Sequence, residues 1–197
     1  QGEAVTTTLR VPEVLGEKTQ VSEPATIAAL SGDAQRGAAL AAQCYLCHKL
    51  AGNGVAFGPE LTHWGRERTI AQIVEEIVHP DARFAHGYDR PVRLTAGAHV
   101  MEGLMTNYSW HAGSLKIKLM GGEVRKINFR ATGAGVEELK QSLMPSASEM
   151  GLRDQDVRDI AEHLKSLGGS PVPVTTAAPE EATPPDGARF LVSVSPG

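Results

Sequence analysis

Cys44-Tyr45-Leu46-Cys47-His48 is the stretch on which the reading of this chain turns. Two thiols separated by two residues and followed at once by an imidazole form the attachment pattern of haem c. The spacing lets the thiols reach the two vinyl groups on one porphyrin edge, and the adjacent imidazole falls beneath the iron as the proximal ligand. Other uses of paired cysteines ask for more. A zinc knuckle needs further Cys or His ligands at close spacing, and the 197 residues hold only these two cysteines. A thioredoxin-like pair follows a strand in a βαβ unit. Here Asp33 instead opens a helical pattern through Gln35, Gly37, Ala38, Leu40 and Ala41 that runs into the motif. Two cysteines are also too few for a disulfide scaffold. The expected site is one haem c, joined covalently through Cys44 and Cys47 with His48 on the iron.

The opposite axial position is sought among the five methionines. Met144 lies in Ser142-Leu143-Met144-Pro145, where Pro145 biases the residue before it towards an extended backbone. That loop can lie across the open face of a haem held by His48, and a thioether there is a known axial ligand. Met150 follows closely and is the alternative, while Met101, Met105 and Met120 fall in strand-like sequence. Trp64 and Arg66 are candidates for the propionate side, since guanidinium pairs well with carboxylate. Their other reading is a surface loop with one aromatic anchor. His63, His79, His86, His99 and His111 show no ligand spacing, and no Ser/His/Asp set, phosphate loop or carboxylate pair stands out.

Further from the motif, Thr69 and Gln72 form a capping box that opens an apolar stripe, Ile70, Ile73, Val74, Ile77 and Val78, ended by Pro80. A short helix is expected over 136–141 and a last one over about 154–167, with Val157, Ile160, Ala161 and Leu164 on one face. Between Tyr88 and Phe129 the period changes to two. Leu115, Ile117 and Leu119 alternate with Lys116 and Lys118, turn at Gly121-Gly122, and return through Val124, Ile127 and Phe129. Tyr88, Tyr108 and Trp110 are expected to pack this sheet. Residues 1–30 read as an extended arm. Residues 170–197, with six of the twelve prolines, read as a tail or linker with a short strand at Phe190-Leu191-Val192. A chain beginning at Gln1 without Met reads as a processed product whose export signal has been removed.

Beyond the motif lies Gly58-Pro59, and with it the ordered set (Gly37, the haem motif, Gly-Pro, Met144-Pro145, a final helix) resembles the class I c-type cytochromes. More narrowly it resembles the haem-binding domain of planctomycete and verrucomicrobial proteins. The matching stretches there are Val78-His79-Pro80-Asp81, Gly87-Tyr88, Val136-Glu137-Glu138-Leu139 and Asp156-Val157-Arg158-Asp159-Ile160. The resemblance covers Gly32 to Leu167. It implies a mainly α domain at 31–169, the class I helical fold around one haem c, with a small antiparallel β insert at about 88–130 and extended tails. It also implies that the Pro59 carbonyl accepts a hydrogen bond from His48 and so orients the ring. Ala41 and His163 stand where relatives have an aromatic pair at the helix crossing, which makes His163 a surface or interface imidazole.

The function expected from this set is single-electron transfer through a His/Met-ligated haem, from a periplasmic dehydrogenase to a cytochrome or oxidase acceptor. Two other readings are a peroxidase-like haem enzyme with a labile distal ligand, and a docking or relay subunit of a dehydrogenase complex. Haem c attachment is completed outside the cytoplasm, so a periplasmic or otherwise exported location is expected. The chain lacks an apolar run long enough to span a membrane. The formal charge of −4, with no Lys/Arg block, argues against nucleic acid as a partner. The −4 resides in residues 1–30 and 170–197, at −2 each, and the middle is neutral. Within that middle, residues 90–130 sum to +5, so the insert is expected to meet an acidic partner surface through Lys116, Lys118, Arg125 and Lys126.

Overall fold

Three helices in this chain begin where an N-cap side chain, Asp33, Thr69 or Asn128, takes up free backbone N–H groups. The computed structural model describes residues 8–9 and 18–167. After α1 (Pro24–Ala28), the Asp33 carboxylate accepts from the N–H groups of Gln35 and Arg36 and opens α2 (Ala34–Leu40). A 3₁₀ helix, Ala41–Leu46, continues it and carries Cys44. A two-residue hairpin pair follows, β2 (Lys49–Leu50) with β3 (Asn53–Gly54), then a second 3₁₀ helix at Trp64–Glu67. Both halves of the Thr69/Gln72 capping box are made, and they open α3 (Ile70–Val78). The last helix is α5 (Asp154–Ser166).

Between α3 and α5 lies a sheet, not a small insert, and it overturns the expectation of a mainly α domain. β4 (Pro91–Ala96), β5 (His99–Ser109), β6 (Ser114–Lys118), β7 (Val124–Asn128) and β8 (Gly135–Glu138) pair antiparallel in the order β7-β6-β5-β4-β8. The two-residue β1 (Thr8–Leu9) adds in parallel to β5 beside Val100 and Met101. Helices of up to 13 residues and this sheet together make the fold mixed. α4 (Phe129–Thr132) is a single turn off the end of β7.

The stretch expected to be a short helix over 136–141 is instead strand β8. Val136, Glu137 and Glu138 are good enough helix formers in isolation, but β4 offers them a ladder, Leu94 facing Val136 and Arg93 facing Glu137. Arg90 and Arg93 then pair with Glu138 and Glu137 across the strands. Within the stretch read as an extended arm, Pro24 starts the helical turn of α1, whose Ile27 is fully buried. The tail at 170–197, with its expected strand at 190–192, lies outside the described residues.

Two hydrophobic clusters result. One joins the helices through Ile27, Ile73, Val74, Val157, Ile160 and Leu164. The other belongs to the sheet, built on Val92, Leu94, Met105, Leu115, Ile117 and Leu119. Each fully buried aliphatic side chain contributes about 1.5–3 kcal/mol. Tyr108 and Trp110, expected to pack the sheet, form instead an exposed aromatic group with Phe129. Their ring centroids lie 5.9 Å and 5.7 Å from one to the next, and Trp110 is 61% exposed.

The first and last long helices cross at Gly37. A Cβ there would lie 1.9 Å from the Asp159 carbonyl oxygen, so only glycine lets α2 approach α5 this closely. Among the described residues no aromatic pair occupies the crossing. The Asp159 carboxylate, 1% exposed, accepts from the Asp33 N–H and the Gln155 amide, both at 2.8 Å, and pairs with Arg36. Arg36 also pairs with Asp156. His163 packs beside Gly37 in the same crossing, and burial pulls its pKa down.

Candidate functional site

The motif is held by its own backbone. His48 N–H donates to the Cys44 carbonyl at 2.8 Å, and the N–H groups of Phe57 and Gly58 donate to the Cys47 carbonyl at 3.1 and 2.7 Å. The loop 55–58 is thereby strapped around the turn that carries both cysteines. Within it, the His48 Nδ1–H donates to the Pro59 carbonyl at 2.7 Å. A carbonyl can only accept, so the proton sits on Nδ1 and Nε2 keeps its lone pair. The ring lies close against the Gly58 Cα. A Cβ added there would fall 2.5 Å from His48 Cε1, so Gly58 forms a cradle that any larger residue would fill.

Cys44, Cys47 and His48 line one cleft with Met144 and Met150, a space of about 1530 Å³ counting its open mouth. Apolar groups dominate the walls, Phe57 and Leu61 on the motif side and Ile77, Ile160 and Leu164 from α3 and α5. Burial sets the protonation states. The Cys44 thiol is pushed up to about 11 by burial, with the neighbouring Cys47 adding to it, and burial raises Cys47 as well. Both are protonated thiols at neutral pH, unlike zinc-bound or nucleophilic cysteines. No disulfide joins them. Burial also lowers His48, against the opposing hydrogen bond to Pro59, and keeps the imidazole neutral as a ligand must be. Among the described residues no group of three or more His, Cys, Asp or Glu can hold a bare metal ion. These features fit a covalently attached haem: two neutral thiols, a free imidazole nitrogen and thioethers around an open, mostly apolar cleft.

The methionine loop is braced from α3. The Asp81 carboxylate, just past the helix end, accepts from Ser142 N–H at 2.5 Å, and the Ser142 hydroxyl accepts from Met144 N–H at 3.0 Å. Further along, Ala147 N–H donates to the Ile77 carbonyl at 2.9 Å, and Ser146 donates twice to Glu149. These hydrogen bonds hold Glu149 below the usual carboxylate range.

The cleft contains Trp64 but not Arg66. The Arg66 carbonyl accepts from Lys165, and its side chain is exposed. Arg68 takes the place beside Trp64, its guanidinium 4.1 Å from the ring centroid and 3.5 Å from Glu76. Sequence reasoning missed Arg83, which lines the cleft, and the sheet's contribution of Leu104 and Met120. Arg83 had no signal, because the Asp81–Ser142 contact beside it joins residues 61 apart and is made only in the fold. Met120 had none, because its strand-like setting hid the turn that brings it to the cleft.

Among the described residues no helix is long and apolar enough to cross a membrane. No protein-family model matches the chain, and no curated protein matches it.

Proposed function

We propose that this chain is a single-haem c-type electron carrier. Cys44 and Cys47 would hold the cofactor covalently, and His48 and Met144 would ligate its iron. The observation that carries the reading is the orientation of His48. Its Nδ1–H is committed to Pro59, and its remaining nitrogen shares one apolar cleft with both thiols and the Met144 loop. A haem held there supplies a one-electron couple whose potential thioether ligation raises. Pro59 fixes the tautomer and ring angle of His48, Gly58 admits the ring, and Asp81 and Ser142 position Met144.

Were His48 and Met144 both to ligate the iron, no position would remain for a substrate, and on that ground a carrier is favoured over a peroxidase-like enzyme. The partners are a dehydrogenase as donor and a cytochrome or oxidase as acceptor. Covalent attachment completed outside the cytoplasm makes the working place periplasmic or otherwise exported.

The test is expression alongside a haem c maturation system, followed by a pyridine haemochrome assay on the denatured chain and an optical redox titration. The expected result is one haem per polypeptide that stays attached on denaturation, a single one-electron wave, and loss of attachment in Cys44→Ser/Cys47→Ser. Haem that separates from the denatured chain, or none at all, would overturn the proposal.

A further inference from the structure

The net positive charge of residues 90–130 is not spread over the sheet. Three of its arginines are neutralised in place: Arg90 by Glu138, Arg93 by Glu102 and Glu137, and Arg125 by Glu123. Lys116, Lys118 and Lys126 have no ion-pair partner among the described residues. In the β6–β7 register Lys116 stands directly opposite Lys126, and both are exposed. Like charges facing each other across a ladder cost stability, and here no ion pair among the described residues offsets them. Lys118 is two residues from Lys116 and so shares its face, about 7 Å further along the strand.

This face runs to the cleft. Lys118 stands opposite Leu104, which lines the cleft, and its ammonium lies 5.3 Å from the ring centroid of Tyr88, another lining residue. The turn beyond it reaches the loop that seats His48, where a Cβ on Gly122 would lie 3.4 Å from Val55. Val124, half exposed and opposite Lys118, adds an apolar contact beside the charges.

We propose that the face made by Lys116, Lys118 and Lys126 with Val124 docks an acidic protein surface against the Tyr88 side of the cleft. That the docked protein exchanges electrons rests on the haem reading above; the docking itself does not. Charge complementarity selects the occupant, since an acidic surface relieves the Lys116–Lys126 repulsion. Arg125, which sequence alone would include, belongs to the opposite face with Ile117 and is already paired.

The experiment uses the full chain with its haem content measured separately, and poly-L-glutamate as the probe. An NMR titration at low salt is expected to shift the amides of residues 88, 104, 116, 118 and 126. Lys116→Glu/Lys126→Glu is expected to weaken binding about tenfold and flatten its salt dependence. Lys116→Gln/Lys126→Gln should give a smaller loss, and Lys140→Glu, beyond the far edge strand β8, little change. A footprint elsewhere, or unchanged affinity in both double variants, would overturn the proposal, as would tighter binding of an oligodeoxythymidylate at the same face. Binding at the lysines in a chain without haem would leave the docking intact and remove its redox purpose.

Discussion

The helical part of the molecule and its sheet are built to different tolerances. In the helical part, helices of 4 to 13 residues meet through glycine contacts and a buried carboxylate network. Both thiols, His48, Pro59 and Met144 come from this part. In the sheet, stability comes from ladders, cross-strand ion pairs and a separate core, and only Leu104 and Met120 from its strands and turns reach the cleft. The part that carries both thiols, His48 and the Met144 loop is thus the part built on the closest backbone contacts, and the sheet, which has its own core, meets it through Leu104 and Met120.

Truncating one isoleucine in each core gives the largest effects. Ile160→Ala and Ile117→Ala are each expected to cost about 2–5 kcal/mol in urea unfolding. Only Ile160 lines the cleft, so only Ile160→Ala should also change the visible spectrum of the haem-loaded protein. Equal spectral change in both would break the separation. Gly37→Ala tests the tight tolerance directly. The atoms in the way are Asp159 backbone, which cannot swing aside, so the cost is expected near the upper end of overpacking, about 3 kcal/mol.

Asp159→Asn is expected to cost about 1–3 kcal/mol at neutral pH through lost charge-assisted hydrogen bonds. Burial alone would raise the Asp159 pKa, but the Asp33 N–H, the Gln155 amide and Arg36 outweigh it and hold the carboxyl below its usual range. Its contribution is therefore full above the unfolded carboxyl pKa and is lost as the pH falls below about 4. Urea midpoints measured from neutral pH downward should show this acid loss in the parent protein and a shallower one in the variant.

Much of the helical part was legible because its signals are local. Asp33, the Thr69/Gln72 box and the Ile70–Val78 stripe act within one or two turns, and the structure has each of them. The alternation from Leu115 to Ile127 was legible for the same reason. What could not be read depends on partners distant in sequence. β8 is a strand because β4 is there to pair with it, and Trp110 meets Tyr108 and Phe129 in place of the sheet's core. Arg68, not Arg66, stacks on Trp64 because the 3₁₀ turn sets the side chains' directions. At the site, the thiols, His48 and the Met144 loop were visible as a motif and a Met-Pro pair. The Asp81–Ser142 brace and the arrival of Met120 needed the fold.

The most direct measurement is the weak far-red absorption band of methionine-ligated ferric haem, recorded on the oxidised holoprotein and on Met144→Ala, Met150→Ala and Met120→Ala. The band is expected in the parent protein, in Met150→Ala and in Met120→Ala, and absent from Met144→Ala, which should turn high-spin. A parent protein without the band, or one that loses it with Met150 or Met120 instead, would contradict His48/Met144 ligation.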